Sequence, residues 1–199
     1  IYDAVLAAPT DGTYAKITLY ENEIISKKLE ILAGQNIEID LNGKEIAETN
    51  CINNNGDLII NDTSEEQTGK IEISKSNYCI YNEGNGTVEL KAGFLRAYAT
   101  TYSDRYGIYN KNNGTIRMTG GEINIETTHW GYAIYNASNG RVEFIDGKMD
   151  VRTGLMGAGI NCGTGTSIMN GGTIYSARSG IYNEKTGSIE VNGGTIISE

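Results

Sequence analysis

His129 and Trp130 are the single histidine and the single tryptophan of this 199-residue chain, and they are adjacent. Tyr98, Tyr102, Asp104, Arg105, Tyr106 and Tyr132 lie within about thirty residues of one another on either side of them. Flat rings present apolar faces to sugar C–H groups, and Arg and Asp supply oriented hydrogen bonds. Tyr98, Tyr102, Arg105, Tyr106, His129, Trp130 and Tyr132 are therefore the expected ligand-binding set, for a glycan or a protein partner. The competing expectation is structural: Trp130 and its tyrosine neighbours form a satellite apolar cluster.

No comparable case exists for catalysis. Glycosidic cleavage by paired acids needs two carboxyl groups held at a defined separation across a groove. Here the acids are scattered: Asp57 and Asp62 flank one segment, Asp146 and Asp150 another, and all four read as solvated surface groups. Calcium loops of the DxDxDG kind are missing from the sequence, and His129 has no second His or Cys nearby to complete a metal site. No catalytic residue, metal or cofactor is expected. Cys51, Cys79 and Cys162 lack metal-ligand spacing and read as small apolar residues, although Cys51 and Cys79 share a repeat position and a disulfide between them is compatible with it.

The chain carries a formal charge of −9 with a pI near 4.7. Without a basic stripe there is no electrostatic footprint for nucleic acid. The acidity also opposes docking on an anionic membrane, and no apolar run is long enough to span a bilayer. No signal peptide is visible at Ile1, as expected of a processed chain. Thirteen tyrosines against two phenylalanines suit half-exposed β positions, where a ring packs and its hydroxyl stays wet.

The elements that must position these residues are set by a repeat. A unit of the form small-Ile-Tyr-Asn occurs as CIYN (79–82), GIYN (107–110), AIYN (133–136) and GIYN (180–183), with weaker copies CINN (51–54) and GINC (159–162). Its isoleucines stand at 52, 80, 108, 134, 160 and 181, giving spacings of 28, 28, 26, 26 and 21. A second unit follows each first one: GTVELKAGFL from Gly86, GTIRMTGGEI from Gly114, GRVEFIDGKM from Gly140, GTSIMNGGTI from Gly165 and GSIEVNGGTI from Gly187. An earlier copy from Gly56 is interrupted by 63–68. Each copy thus holds three short period-two segments separated by glycine, too short for helices. Three strands and three bends make one coil of a solenoid in which equivalent strands pair in parallel. The expected fold is all-β: a right-handed parallel β-helix of about seven coils with three short strands each.

Stacking turns repeat positions into columns. The six isoleucines should form one inward stack. Val88, Ile116, Val142 and Ile189, with Leu90, Met118, Phe144, Met169 and Val191, should form a second. An asparagine ladder is expected from Asn54, Asn82, Asn110, Asn136 and Asn183, broken at Cys162, and outside it a tyrosine column of Tyr81, Tyr109, Tyr135 and Tyr182. Glu89, Arg117 and Glu143 follow one another on the outward face, so alternating charges meet where like charges would repel.

These repeats resemble those of right-handed parallel β-helix domains, of pectate-lyase-like fold, in surface and adhesin-like proteins of bacteria, and IEIDLNGKEI (37–46) is similar to the first coil of such domains. The resemblance covers about Thr18 to Glu199 and implies an extracellular or surface-attached, non-enzymatic module, an adhesin or spacer. A polysaccharide lyase or glycoside hydrolase with unrecognised catalytic residues is the alternative. Residues 1–17 read as an N-terminal cap with a short helix and 18–199 as the β-helix domain. The last coil, ending in GGTIIS, has no capping element, so continuation of the chain or end-to-end contact with another one is expected there. The bends at Ala97–Tyr106 and Glu126–Tyr132 look long, lie on adjacent coils and should project side by side, bringing the candidate binding residues together.

Overall fold

The computed structural model describes residues 1–48 and 50–199, with the backbone alone for Glu48. It is a right-handed parallel β-helix. Among the described residues the strands form three parallel sheets of eight, eight and seven strands. Each of seven coils contributes one strand to each sheet, and two further strands begin an eighth coil. The helix α1 (Tyr2–Ala7) covers the N-terminal end. It is too short to persist alone; it is held by Val5, which is buried in the core, and by Gln35, whose amide donates to the carbonyls of Val5 and Ala8 at 2.8 and 3.0 Å. The first strand, Tyr14–Thr18, pairs with Asn36–Asp40. The coils therefore start four residues before the expected boundary at 18, and the segment resembling a first coil lies in the second.

The register agrees with the repeat. Ile52, Ile80, Ile108, Ile134, Ile160 and Ile181 are successive partners in the third sheet, with Leu29 beneath them. Val88, Ile116 and Val142 stack in the first sheet, and Ser167 separates them from Ile189. Removing each such side chain from water contributes about 1.5–3 kcal/mol. In the last strands Ile189, Val191 and Ile196 are 38–53% exposed.

The asparagine ladder is present over four rungs. Asn54, Asn82 and Asn110 each donate Nδ2 to the Oδ1 of the asparagine above, at 2.8, 2.9 and 2.9 Å. Asn82, Asn110 and Asn136 also donate to the carbonyl of the glycine four residues on. Cys162 breaks the column, and Asn183 keeps only the local bond, to the Gly187 carbonyl at 2.8 Å. The glycines that end these bends lie directly over one another: a Cβ on Gly86 would sit 1.8 Å from the Gly56 carbonyl oxygen. No disulfide joins Cys51 to Cys79.

Strict alternation fails at one point in each of the third to seventh coils. Tyr106 and Tyr109 share the outer face, with rings 5.4 Å apart, so both Gly107 and Ile108 point inward. A Cβ on Gly107 would meet Ile123 Cγ2 at 2.4 Å. The wall bends here, and the first inward residue must be small, which is why Cys79, Gly107, Ala133, Gly159 and Gly180 occupy that position.

Candidate functional site

The corner between the second and third sheets carries a run of exposed aromatic and apolar residues, on three consecutive coils. Residues 100–104 form the bend of the fourth coil, which presents Tyr102 at 70% exposure. His129 in the fifth coil packs against it, with ring centroids 3.7 Å apart, and the Trp130 ring lies parallel to His129 at 5.6 Å. In the sixth coil Leu155 and Met156 are 46% and 44% exposed, and Met156 is the strand partner of Trp130. Together they form a continuous apolar ridge.

The ridge is braced from below. His129 Nδ1 contacts the Asp104 carboxylate, which fixes the imidazole plane that Tyr102 and Trp130 pack against. Thr127 Oγ1 donates to the Ser103 carbonyl at 2.6 Å and accepts from the His129 amide at 3.1 Å. Thr128 Oγ1 donates to the Thr101 carbonyl at 3.3 Å. These bonds staple the bend of the fourth coil onto the fifth, so the rings are presented in a fixed geometry that costs little entropy on binding.

The other expected binding residues are placed differently. Arg105 is buried: its guanidinium donates to the carbonyls of Tyr98, Asp104 and Ser74, each at 2.8 Å, and clips two coils together. Tyr106 and Tyr132 are 9% and 3% exposed, within an outer cluster that also holds Tyr78, Tyr109 and Tyr135. Tyr98 stands on the second sheet, half-buried, with the Arg96 guanidinium over its ring at 5.3 Å. So the structure brings Tyr102, His129 and Trp130 together at the surface, with Asp104, and buries Arg105, Tyr106 and Tyr132. The result is an exposed ridge beside a satellite cluster.

The expected long bends are mostly strand. Phe94–Ala99 pairs residue by residue with Glu122–Thr127, and the next strands start at Arg105 and Trp130. Only 100–104 and 128–129 lie between strands, so the fifth coil projects no loop.

Tyrosine burial has a chemical signature. Desolvation pushes the Tyr132 phenol up to about 12 and holds Tyr106 further above its ordinary value. For Tyr135 desolvation is reinforced by its hydrogen bond to Glu184, at 2.7 Å. None of the three is a phenolate at neutral pH.

Acids on the outer face are engaged with partners. Arg117 lies 3.5 Å from Glu89 and 3.6 Å from Glu143, the alternating column expected. Sequence reasoning missed Glu38 and Asp40, two buried acids side by side on one strand. Burial opposes their ionisation. For Glu38 hydrogen bonds from Asn61 and Tyr14 and the ammonium groups of Lys91 and Lys16 outweigh it; for Asp40 the same role falls to Lys16, Thr63 and the Asn42 amide. Both carboxyls are held below their usual range. Asp62 is likewise not the solvated acid expected: it is buried and accepts from Gly43 N, Ser64 N, Ser64 Oγ and Gly69 N, organising the 63–68 interruption. Asp57 and Asp146 are exposed; Asp150 is half-buried between Lys148 and Arg152. Among the described residues no group of three or more His, Cys, Asp or Glu is arranged to hold a metal ion, and no helix is long and apolar enough to cross a membrane.

No protein-family model, curated protein or solved structure matches the chain.

Proposed function

We propose that this chain is a non-catalytic binding module of a bacterial surface protein, adhesin-like in character, whose β-helix is a rigid support for the Tyr102–His129–Trp130 ridge. The observation that carries the reading is that ridge: Tyr102 and Trp130 stand 70% and 42% exposed, and both rings pack on His129, which Asp104 braces. Large rings left in water and held rigidly are the anchors of recognition surfaces. The ligand class that suits them is a glycan, whose C–H faces pack on rings while hydroxyls reach the polar groups around them. An extracellular, surface-attached setting belongs to the same proposal.

The alternative, a polysaccharide lyase or hydrolase, draws support from the Glu38–Asp40 pair. Both acids are held ionised by fixed partners, however, which suits a structural bridge better than a proton donor. Incubation with acidic and neutral polysaccharides, read by reducing-end release, tests that alternative directly.

The binding reading is tested on a glycan array with the full chain and with the double variant Trp130→Ala/Tyr102→Ala. Loss of at least about tenfold in binding is expected, since ring truncations at recognition hot spots cost about 1.4 kcal/mol or more. Array binding that survives the double substitution removes the ridge from the account.

A further inference from the structure

The third sheet ends, on the side of the first coil, in the strand Leu29–Ile31, which pairs only with Ile52–Asn54. In a parallel pair, alternate residues of a strand turn their backbone groups to the same neighbour. Leu29 N donates to the Cys51 carbonyl at 3.4 Å, and the Ile31 carbonyl accepts from Asn55 N at 2.9 Å. Leu29 and Ile31 therefore face the second coil, and the N–H and C=O of Glu30 between them point the other way. Side chains close this edge on both sides of Glu30. The Tyr2 hydroxyl donates to the Lys27 carbonyl and accepts from the Lys27 amide, and Gln35 Oε1 accepts from Leu32 N at 2.8 Å. Among the described residues nothing does the same for Glu30.

This open donor and acceptor lie at a groove. It encloses about 300 Å³, with Val5 and Leu6 of α1 and Lys28, Leu29, Glu30 and Leu32 among its walls. Leu6 is 75% exposed and Leu32 39%, so apolar surface stands ready on both the helix side and the strand side. Lys28 and Glu30 are exposed and put opposite charges on the strand side. Glu30 Oε1 accepts from Asn53 Nδ2 at 3.4 Å, which turns that carboxylate to the outer face of the sheet. An unpaired strand edge beside apolar and charged contacts is the setting in which an extended peptide adds to a sheet.

We propose that this groove binds an extended segment of a protein partner as an added parallel strand, of the type acidic–apolar–basic–apolar. With the basic residue opposite Glu30, the Glu30 N–H donates to the carbonyl of the residue before it, and the Glu30 carbonyl accepts from the N–H of the residue after it. The acidic residue then lies beside Lys28, and the two apolar side chains turn to the other side, toward Leu6 and Leu32. The parallel sense is the one that the neighbouring pairs of this sheet adopt. A helical partner spends its backbone groups internally and leaves those of Glu30 unmet. The groove belongs to the first coil and the ridge to the fourth to sixth, so this inference stands apart from the glycan reading.

Titration of the full chain with the peptide Ac-Ser-Glu-Val-Lys-Val-Ser-NH2, followed by amide NMR, tests the proposal. Saturable shifts at Glu30 and at the α1 residues are expected. The charge-swapped peptide Ac-Ser-Lys-Val-Glu-Val-Ser-NH2 should bind about fivefold more weakly or worse. N-methylation of the second valine removes the N–H that meets the Glu30 carbonyl and should cost about fivefold. In the double variant Lys28→Glu/Glu30→Lys, with circular dichroism retained, the preference between the two charged peptides should reverse. No saturable shift up to ~5 mM peptide, equal binding of the swapped or N-methylated peptide, or an unchanged preference in the double variant overturns it. So does a chain that sediments as a dimer and returns to monomer on Leu6→Asp, because the groove is then occupied by a second copy.

Discussion

Asn110 occupies the middle of the amide ladder, donating to Asn136 and to the Gly114 carbonyl while accepting from Asn82. All three bonds lie where water does not compete, so each missing one leaves an unsatisfied polar group behind. Asn110→Ala is expected to cost about 2–4 kcal/mol, since it takes one buried partner from each of Asn82 Nδ2, Asn136 Oδ1 and the Gly114 carbonyl. Asn183→Ala, at the same repeat position but exposed and with one local bond, should cost no more than about 1 kcal/mol. Urea denaturation of the two variants checks the difference; equal costs would mean that the ladder contributes nothing beyond its local turn. Tyr132 gives a second expectation, in pH. Its folded pKa, about 12, lies above the ordinary tyrosine value of 10.0. The unfolded chain therefore releases this proton first as pH rises, and the stability that burial of the neutral phenol contributes is full below about pH 10 and is lost through pH 12. Tyr132→Phe should flatten that part of the alkaline loss, by on the order of 2 kcal/mol, in melts recorded between pH 9 and 12. The ladder was legible in the sequence because successive copies repeat its letter. Tyrosine burial was less so: Tyr78, Tyr106 and Tyr132 each stand two residues before an inward isoleucine, but strict alternation hides that they face outward with their neighbours.

At the scale of the element, spacing between motifs revealed where coils begin and not how far each strand runs. Ala97–Tyr106 and Glu126–Tyr132 look like loops because they are long and polar. Yet Ala97 pairs with Ile125, Tyr98 with Glu126 and Ala99 with Thr127, with inward positions small or β-branched throughout. Strand length is decided by the neighbour above, which a single copy of the repeat does not show. The bends carry the opposite lesson, since glycine there answers to the adjacent coil. Gly86 lies so close to Gly56 that a methyl group forces the two coils apart. Gly86→Ala is expected to destabilise by about 3 kcal/mol or more, the mark of backbone overpacking, whereas Ala137→Gly in a neighbouring bend should cost under about 1 kcal/mol. Thermal melts of the pair decide whether coil contact or chain entropy sets the glycine requirement.

Because strand pairing joins each coil only to its neighbours, the whole molecule should behave as a stack from which one layer can be removed. Deleting residues 111–136 joins Asn110 to Ala137 with the repeat in phase, since 136 and 110 are equivalent ladder positions. Val88 then lies under Val142 and Leu90 under Phe144, and the inward columns close without a gap. The outward face does not fare as well. Glu89, which had Arg117 above it, now meets Glu143 directly, and like charges on adjacent rungs repel. The shortened chain is expected to keep its β circular dichroism but to melt lower, with a midpoint that rises as salt screens the pair. Glu143→Arg in the shortened chain should recover most of the loss and abolish the salt dependence, while the same change in the full-length chain sets a second guanidinium against Arg117 and lowers stability. A deletion that unfolds the chain outright, in both charge backgrounds, would show that stability is shared across the entire stack rather than passed between nearest coils.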